Sequence, residues 1–182
     1  MNSYSPITTD TWEKLKTFSS FVNLPGHSIL YPADQLPTSF SFVHSGLFRV
    51  YITDEKGKEY NKNFFDEGTF PGSMSALLKS EASRFTIESL EASMIIMIDF
   101  KDYRNLLYAE DDLKLFQINY LEKNWLLAKD SREVALVQEN ASQRYQRFLS
   151  EHPTFNSRIP QYHIASHLGI TPTQLSRIRK KN

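Results

Sequence analysis

Cysteine is missing from all 182 residues. Its absence excludes a disulfide framework, a thiolate zinc site, an iron–sulfur cluster and a cysteine nucleophile. Glycine is scarce, and none of the six falls in a phosphate-cradling loop pattern, so nucleotide hydrolysis of the P-loop kind is excluded as well. No stretch approaches the roughly 18 apolar residues of a membrane span. The opening "MNSYSPITTDTWEKL" lacks the basic and apolar regions of a secretory signal. A cytoplasmic location with no membrane partner is the expectation.

Net charge is also missing, since 21 basic residues balance 21 acidic ones. The balance hides a division. From Ala141 onward Arg144, Arg147, Arg158, Arg177, Arg179, Lys180 and Lys181 face Glu151 alone, a net +6, which leaves −6 on residues 1–140. An acidic body with a basic end suits a polyanionic partner. Apolar residues make up 40% and aromatics 13%, with thirteen Phe and nine Tyr. That is enough to build one ordinary domain and a small second one.

The first half reads as all-β. Short aromatic and β-branched runs alternate with turn signals at Pro32-Ala33-Asp34, Ser45-Gly46, Asp54 to Lys58 and Asp66 to Gly68. Leu47 to Thr53, "DEKGK" and Glu59 to Phe65 predict a hairpin with Gly57 at positive φ. Phe85 to Leu90 and Met94 to Phe100 give two more strands. So many short, closely spaced strands predict a jelly roll over 1–110.

After Phe100 the pattern turns helical, and residues 111–138 contain neither Gly nor Pro. Leu113, Phe116, Tyr120, Leu127, Val134 and Val137 fit a and d positions of a heptad, interrupted by Lys123 and Asp130. This predicts a helix on the order of 40 Å long and a homodimer through it. The competing reading is a helix packed on its own β domain. "ENASQRYQRFLSEHP" predicts a further helix ended by Pro153, followed by "TFNSR" as a linker.

The ending "RIPQYHIASHLGITPTQLSRIRKKN" reads as two short helices around a tight turn. Ile164, Leu168, Ile170, Leu175 and Ile178 hold the pair together, Ala165 lets the helices approach, and Gly169 takes the left-handed turn position. Thr171 is an N-cap, Pro172 suits the first helical position and Gln174 completes a capping box. The spacing is that of a helix-turn-helix whose second helix would enter the major groove of double-stranded DNA. Arg177, then Thr173 and Ser176, are the candidates for base edges; Thr171, Gln174, Arg179 and Lys181 are those for phosphates, and Lys180 shares the outward face.

The whole layout resembles the Crp/Fnr family of bacterial transcription regulators. "FSFVHSGLFRVYITDEKGKEYNKNFFDEGTF", with Gly46, Gly57 and Gly68, is similar to the family's β-roll, and the ending is similar to that of a subgroup. The resemblance implies an α+β chain: a cyclic-nucleotide-binding-like β jelly roll sensor over 1–110, a dimerisation helix over 111–138, and an all-α helix-turn-helix domain over 139–182. RNA polymerase is a further partner it implies. The family usually adds a β-hairpin wing, which this sequence lacks, so DNA binding is expected to lean on dimerisation and on Arg144, Arg147 and Arg158.

The ligand cassette departs from the family. Cyclic-AMP-binding members carry Gly-Glu and later Arg-Ser; here Gly72 precedes Ser73, and Ser83-Arg84 inverts the second pair. A buried phosphate without its charge-assisted donors is poorly compensated. Cyclic AMP is therefore not expected as effector, no cofactor is expected, and Gly72, Ser73, Ser75 and Arg84 are the residues to line any pocket kept there.

His163 and His167 stand four apart, but Ile164 occupies the place of a metalloprotease Glu and no third ligand is near. They read as solvent-facing or phosphate-facing. His27 and His44 lie in expected roll strands without the clustered pattern of a metal-binding cupin. A non-enzymatic, sequence-specific regulator binding an inverted repeat is the expectation. A sensory adaptor for a protein partner and a nucleotide-responsive regulator with a divergent pocket are the alternatives.

Overall fold

The computed structural model describes residues 4–181. Helix α1 (Thr9–Lys16) precedes strands β1 (Ser19–Leu24), β2 (Ile29–Tyr31), β3 (Ser39–Ser45), β4 (Phe48–Thr53) and β5 (Glu59–Phe65). Helix α2 (Met74–Lys79) then leads to β6 (Thr86–Ser89) and β7 (Ser93–Asp99). The strands form two antiparallel sheets, in the orders β1-β7-β3 and β2-β6-β4-β5.

Local sequence explains the predicted hairpin. Val50, inside β4, and Phe64, inside β5, are buried, while the loop is organised by Asp54, whose Oδ1 accepts from the N–H groups of Lys56 and Lys58 at 2.9 Å. Gly57 has φ 77°, as its place in the turn requires. Gly46 is more constrained: φ is 111°, and a Cβ there would lie 2.0 Å from Ser93 Oγ. Between the sheets Tyr31, Val43, Phe48, Val50, Ile87 and Ile95 form the sandwich core.

A second core joins the roll to helices. Leu15, Phe40, Ile98 and Leu113 pack with Tyr103, Leu106 and Leu107 of α3 (Phe100–Ala109) and with Phe116 of α4 (Asp111–Leu121). Asp112 pins α1 to α4, its Oδ2 accepting from Thr8 N–H at 2.7 Å and its Oδ1 from the Thr11 hydroxyl at 2.9 Å.

The predicted long helix is helical from end to end but not uniform. A π turn, Glu122–Leu127, separates α4 from α5 (Ala128–Gln138). The heptad reading of its face is corrected at its first three positions, while Leu127, Val134 and Val137 are exposed. Leu113 and Phe116 are buried in the chain's own core, and Tyr120 joins an aromatic cluster with Tyr4 and Phe70. Among the described residues of this helix the apolar side chains left uncovered are Leu115, Ile118, Leu121, Trp125, Leu126, Leu127, Val134 and Val137, the last 87% exposed. A π turn is wider than an α turn and shifts the face presented after it, so one heptad frame cannot hold across it.

The chain ends in α6 (Ala141–Glu151), α7 (Phe155–Arg158), α8 (Gln161–His167) and α9 (Pro172–Lys181). Asn140 and Gln143 close a capping box at the start of α6. The segment expected as a linker is α7, because Phe155 needs burial and reaches 1% exposure between Phe64 and Phe148. These helices do not stand apart from the roll: Tyr145, Phe148, Ile159, Ile164, Ala165, Leu168 and Leu175 share one core with Leu47, Phe64 and Leu90.

Candidate nucleic-acid interface

The turn between α8 and α9 follows the sequence closely. Gly169 has φ 69°, and the N–H of Ile170 bonds to Ala165 O at 3.0 Å, closing the end of α8. Thr171 Oγ1 accepts from Gln174 N–H at 3.2 Å, and Gln174 Oε1 accepts from Thr171 N–H at 2.9 Å. Helix α9 thus starts at Pro172 with its capping box complete. Ile164, Ala165 and Leu175 are buried and Ile178 is partly so, which locks the helix pair by its inner face.

The outer face of α9 is exposed at Thr173, Ser176, Arg177, Arg179, Lys180 and Lys181. Among the described residues none of the four cations makes an ion pair. Thr171 and Gln174 have a different setting. They line a cleft of about 510 Å³ between α8–α9 and the edge strand β5, opposite Lys58, Glu59 and Tyr60. A duplex touching both must share that space with the β4–β5 hairpin.

The upstream arginines are not available as expected. Arg158 donates to Glu67 at 2.9 and 3.0 Å and to Glu91 at 2.5 Å, which ties α7 to the roll. Arg147 pairs with Glu139 and Glu151, and Arg144 donates to the carbonyls of Glu139 and Leu168. The positive surface of this end is therefore carried by α9. Glu67 is in turn held well below the usual carboxylate range, at about 2, chiefly by its bonds from Arg158.

The histidines are also corrected. His163 is only 6% exposed and enters a polar network with the roll. Its Nδ1 lies 3.1 Å from Asn61 Nδ2 and 3.3 Å from Arg49 Nη1. Both neighbours are donors, so Nδ1 must accept and the ring must be neutral. Burial first, and the Arg49 charge second, push its pKa down to about 4. Arg49 itself is bonded to Glu88 and Glu59 and lies over the Tyr51 ring. Beside it Ser166 Oγ accepts from Asn61 N–H at 3.0 Å and bonds Glu59 O at 3.2 Å, so α8 covers part of the exposed edge of β5. His167 packs against the rings of Phe64 and Phe148. His27 sits in a turn at φ 61°, and His44 is exposed on β3. Among the described residues no group of His, Asp and Glu could hold a metal ion, and no helix is long and apolar enough to cross a membrane.

Sequence reasoning missed this network. One signal was visible: Arg49 interrupts "LFRVYI", a run otherwise suited to burial, and a buried charge requires partners.

The four residues proposed for a ligand pocket have different settings. Ser73 and Ser83 are buried and share a 2.7 Å hydrogen bond. Arg84 is exposed and makes no ion pair among the described residues. Ser75 is exposed on α2. Gly72 has a packing role, since a Cβ there would lie 2.7 Å from Phe40 Cβ.

A β-roll with a helical layer, followed by a docked helix pair, defines the class as a β-roll packed against a small set of helices. Residues 21–110 match the family model of the cyclic nucleotide-binding domain, and the roll is a domain of that kind. Among curated proteins none matches the chain in sequence.

Solved structures similar to it include the c-di-GMP responsive global regulator CLP of Xanthomonas campestris. The TM-score is 0.73 at 16% identity, covering 96% of this chain and 91% of that one. FixK2 of Bradyrhizobium japonicum gives 0.72 at 14%, covering 90% and 83%. DNR of Pseudomonas aeruginosa, a transcriptional regulator, gives 0.59 at 21%, covering 97% and 81%. Identities this low establish a shared fold alone; the neighbours that share it are Crp/Fnr-family regulators.

Proposed function

We propose that the protein is a sequence-specific DNA-binding transcription regulator acting as a homodimer, with α8–α9 as its helix-turn-helix. The carrying observation is the outer face of α9: a capped helix presenting Thr173, Ser176 and four cations without ion-pair partners among the described residues. Two such helices entering successive major grooves about 34 Å apart would read an inverted repeat. The uncovered apolar residues of α4, the π turn and α5 supply the surface on which two copies would meet. Under this reading the roll is not a cyclic AMP receptor, because a neutral Ser73–Ser83 pair stands where the resemblance implies a Glu and an Arg.

Selection of bound duplexes from a random pool tests the reading. Recovery of an inverted repeat supports it; recovery of none, with or without cyclic nucleotides, favours an adaptor that binds a protein partner. Within the selected site, Arg177→Ala should cost about 1–3 kcal/mol and relax preference at one position. Lys181→Ala should weaken all sequences alike and reduce the salt slope by about 1. Equal behaviour of the two variants would refute the base contact assigned to Arg177.

A further inference from the structure

A second cavity, of about 310 Å³, lies between α2, α3, α4 and the π turn. It is separate from the Ser73–Ser83 region and shares with the expected pocket only Ser75. Its volume falls at the lower end of small-molecule sites, about 300–1,000 Å³. Half of the lining residues are aromatic, with Phe40, Phe70, Phe100, Phe116 and Trp125 contributing ring surface.

Ser75, Tyr103, Arg104, Gln117 and Tyr120 bring polar groups to the wall, and two of them could serve an anion. Arg104 is the only charged lining residue, and among the described residues it meets no carboxylate; its contacts are the ring and hydroxyl of Tyr108. Gln117 accepts from the Tyr103 hydroxyl through Oε1 at 2.6 Å, and its amide NH₂ makes no hydrogen bond among the described residues. An aromatic chamber with one guanidinium lacking an acidic partner and one spare amide donor is complementary to a small acid with an apolar body.

We propose that this cavity is a binding site for a small aromatic or aliphatic carboxylate, the body seated among the rings and the carboxylate on Arg104 and Gln117. Binding would also press on Leu121 and Trp125, where α4 passes into the π turn, and π turns recur at functional sites. If the regulatory reading above holds, the carboxylate is the signal; the binding site itself does not rest on that reading.

The protein reports on its own cavity. Trp12 and Trp125 are its two tryptophans, so Trp12→Phe leaves Trp125 as the sole indole fluorophore. Titration of that variant with 6-phenylhexanoate should give a saturable fluorescence change with a micromolar midpoint. Its uncharged counterpart 6-phenylhexanol, and the acid on Arg104→Gln in the same background, should each bind at least tenfold more weakly. Ser75→Leu, at an exposed position of α2, should abolish the response by narrowing the cavity, with circular dichroism confirming that both variants fold.

No saturable response up to millimolar probe would overturn the proposal. So would equal affinities for acid and alcohol, or a signal that follows protein dilution rather than probe, which would identify a second copy as the occupant. Because no DNA enters the assay, its outcome is independent of the duplex selection.

Discussion

Acid should loosen the contact between the terminal helices and the roll through one side chain. The His163 imidazole is neutral because Arg49 and Asn61 both donate toward Nδ1. A proton there would remove the acceptor and place a cation 3.3 Å from a guanidinium nitrogen. Its pKa falls from the ordinary 6.5 to about 4. At about 1.36 kcal/mol for each tenfold change in proton affinity, the difference amounts to roughly 3 kcal/mol at its limit.

The sign follows from which state binds the proton more tightly. The unfolded chain takes it up below about 6.5 and the folded chain only near 4. The stabilisation is therefore fully present above about pH 6.5 and is lost as pH falls toward 4. Between about pH 7.5 and about pH 5.5 the expected loss is about 1.3 kcal/mol.

Urea unfolding at those two pH values, for the wild type and for His163→Asn, isolates the effect. Asn offers an acceptor near the Nδ1 position and does not titrate, so the difference between the two pH dependences should be about 1.3 kcal/mol. The ring proton signals of His163 should titrate with a midpoint near 4. A midpoint near 6.5, or identical pH dependences for the two proteins, would refute the neutral, buried imidazole.

Arg158→Gln should destabilise the chain by about 1–2 kcal/mol in urea melts, a value discounted because Glu67 and Glu91 keep 44% and 38% of their side-chain surface exposed. The gap from wild type should narrow as pH falls from about 4.5 toward 2, where the depressed Glu67 carboxyl takes its proton. Gly46→Ala should cost about 2–4 kcal/mol, since it combines positive φ with a Cβ 2.8 Å from Ser93 Cα. A fall in Tm on the order of 5–15 °C by calorimetry would register it. Leu126→Glu with Val137→Glu should weaken self-association at least tenfold in sedimentation equilibrium, as burying each apolar side chain is worth about 1.5–3 kcal/mol; an unchanged dimer would place the interface elsewhere.

What sequence alone determined were features set by neighbours along the chain. The β4–β5 hairpin, the left-handed Gly169 and the Thr171–Gln174 capping box depend on residues within a few positions of each other, and their geometry is where the residue types place it. The exposed cationic face of α9 follows from the same periodicity that buries Leu175. Tertiary structure decided which partner each remaining side chain meets. Arg158 lies 91 positions from Glu67, and His163 lies 114 from Arg49, so no local pattern could show that one arginine is neutralised and one histidine buried. Periodicity likewise marked Leu113 and Phe116 as apolar without saying that the roll, rather than a second copy, would cover them. Burial energy depends on removal from water, whichever surface provides it.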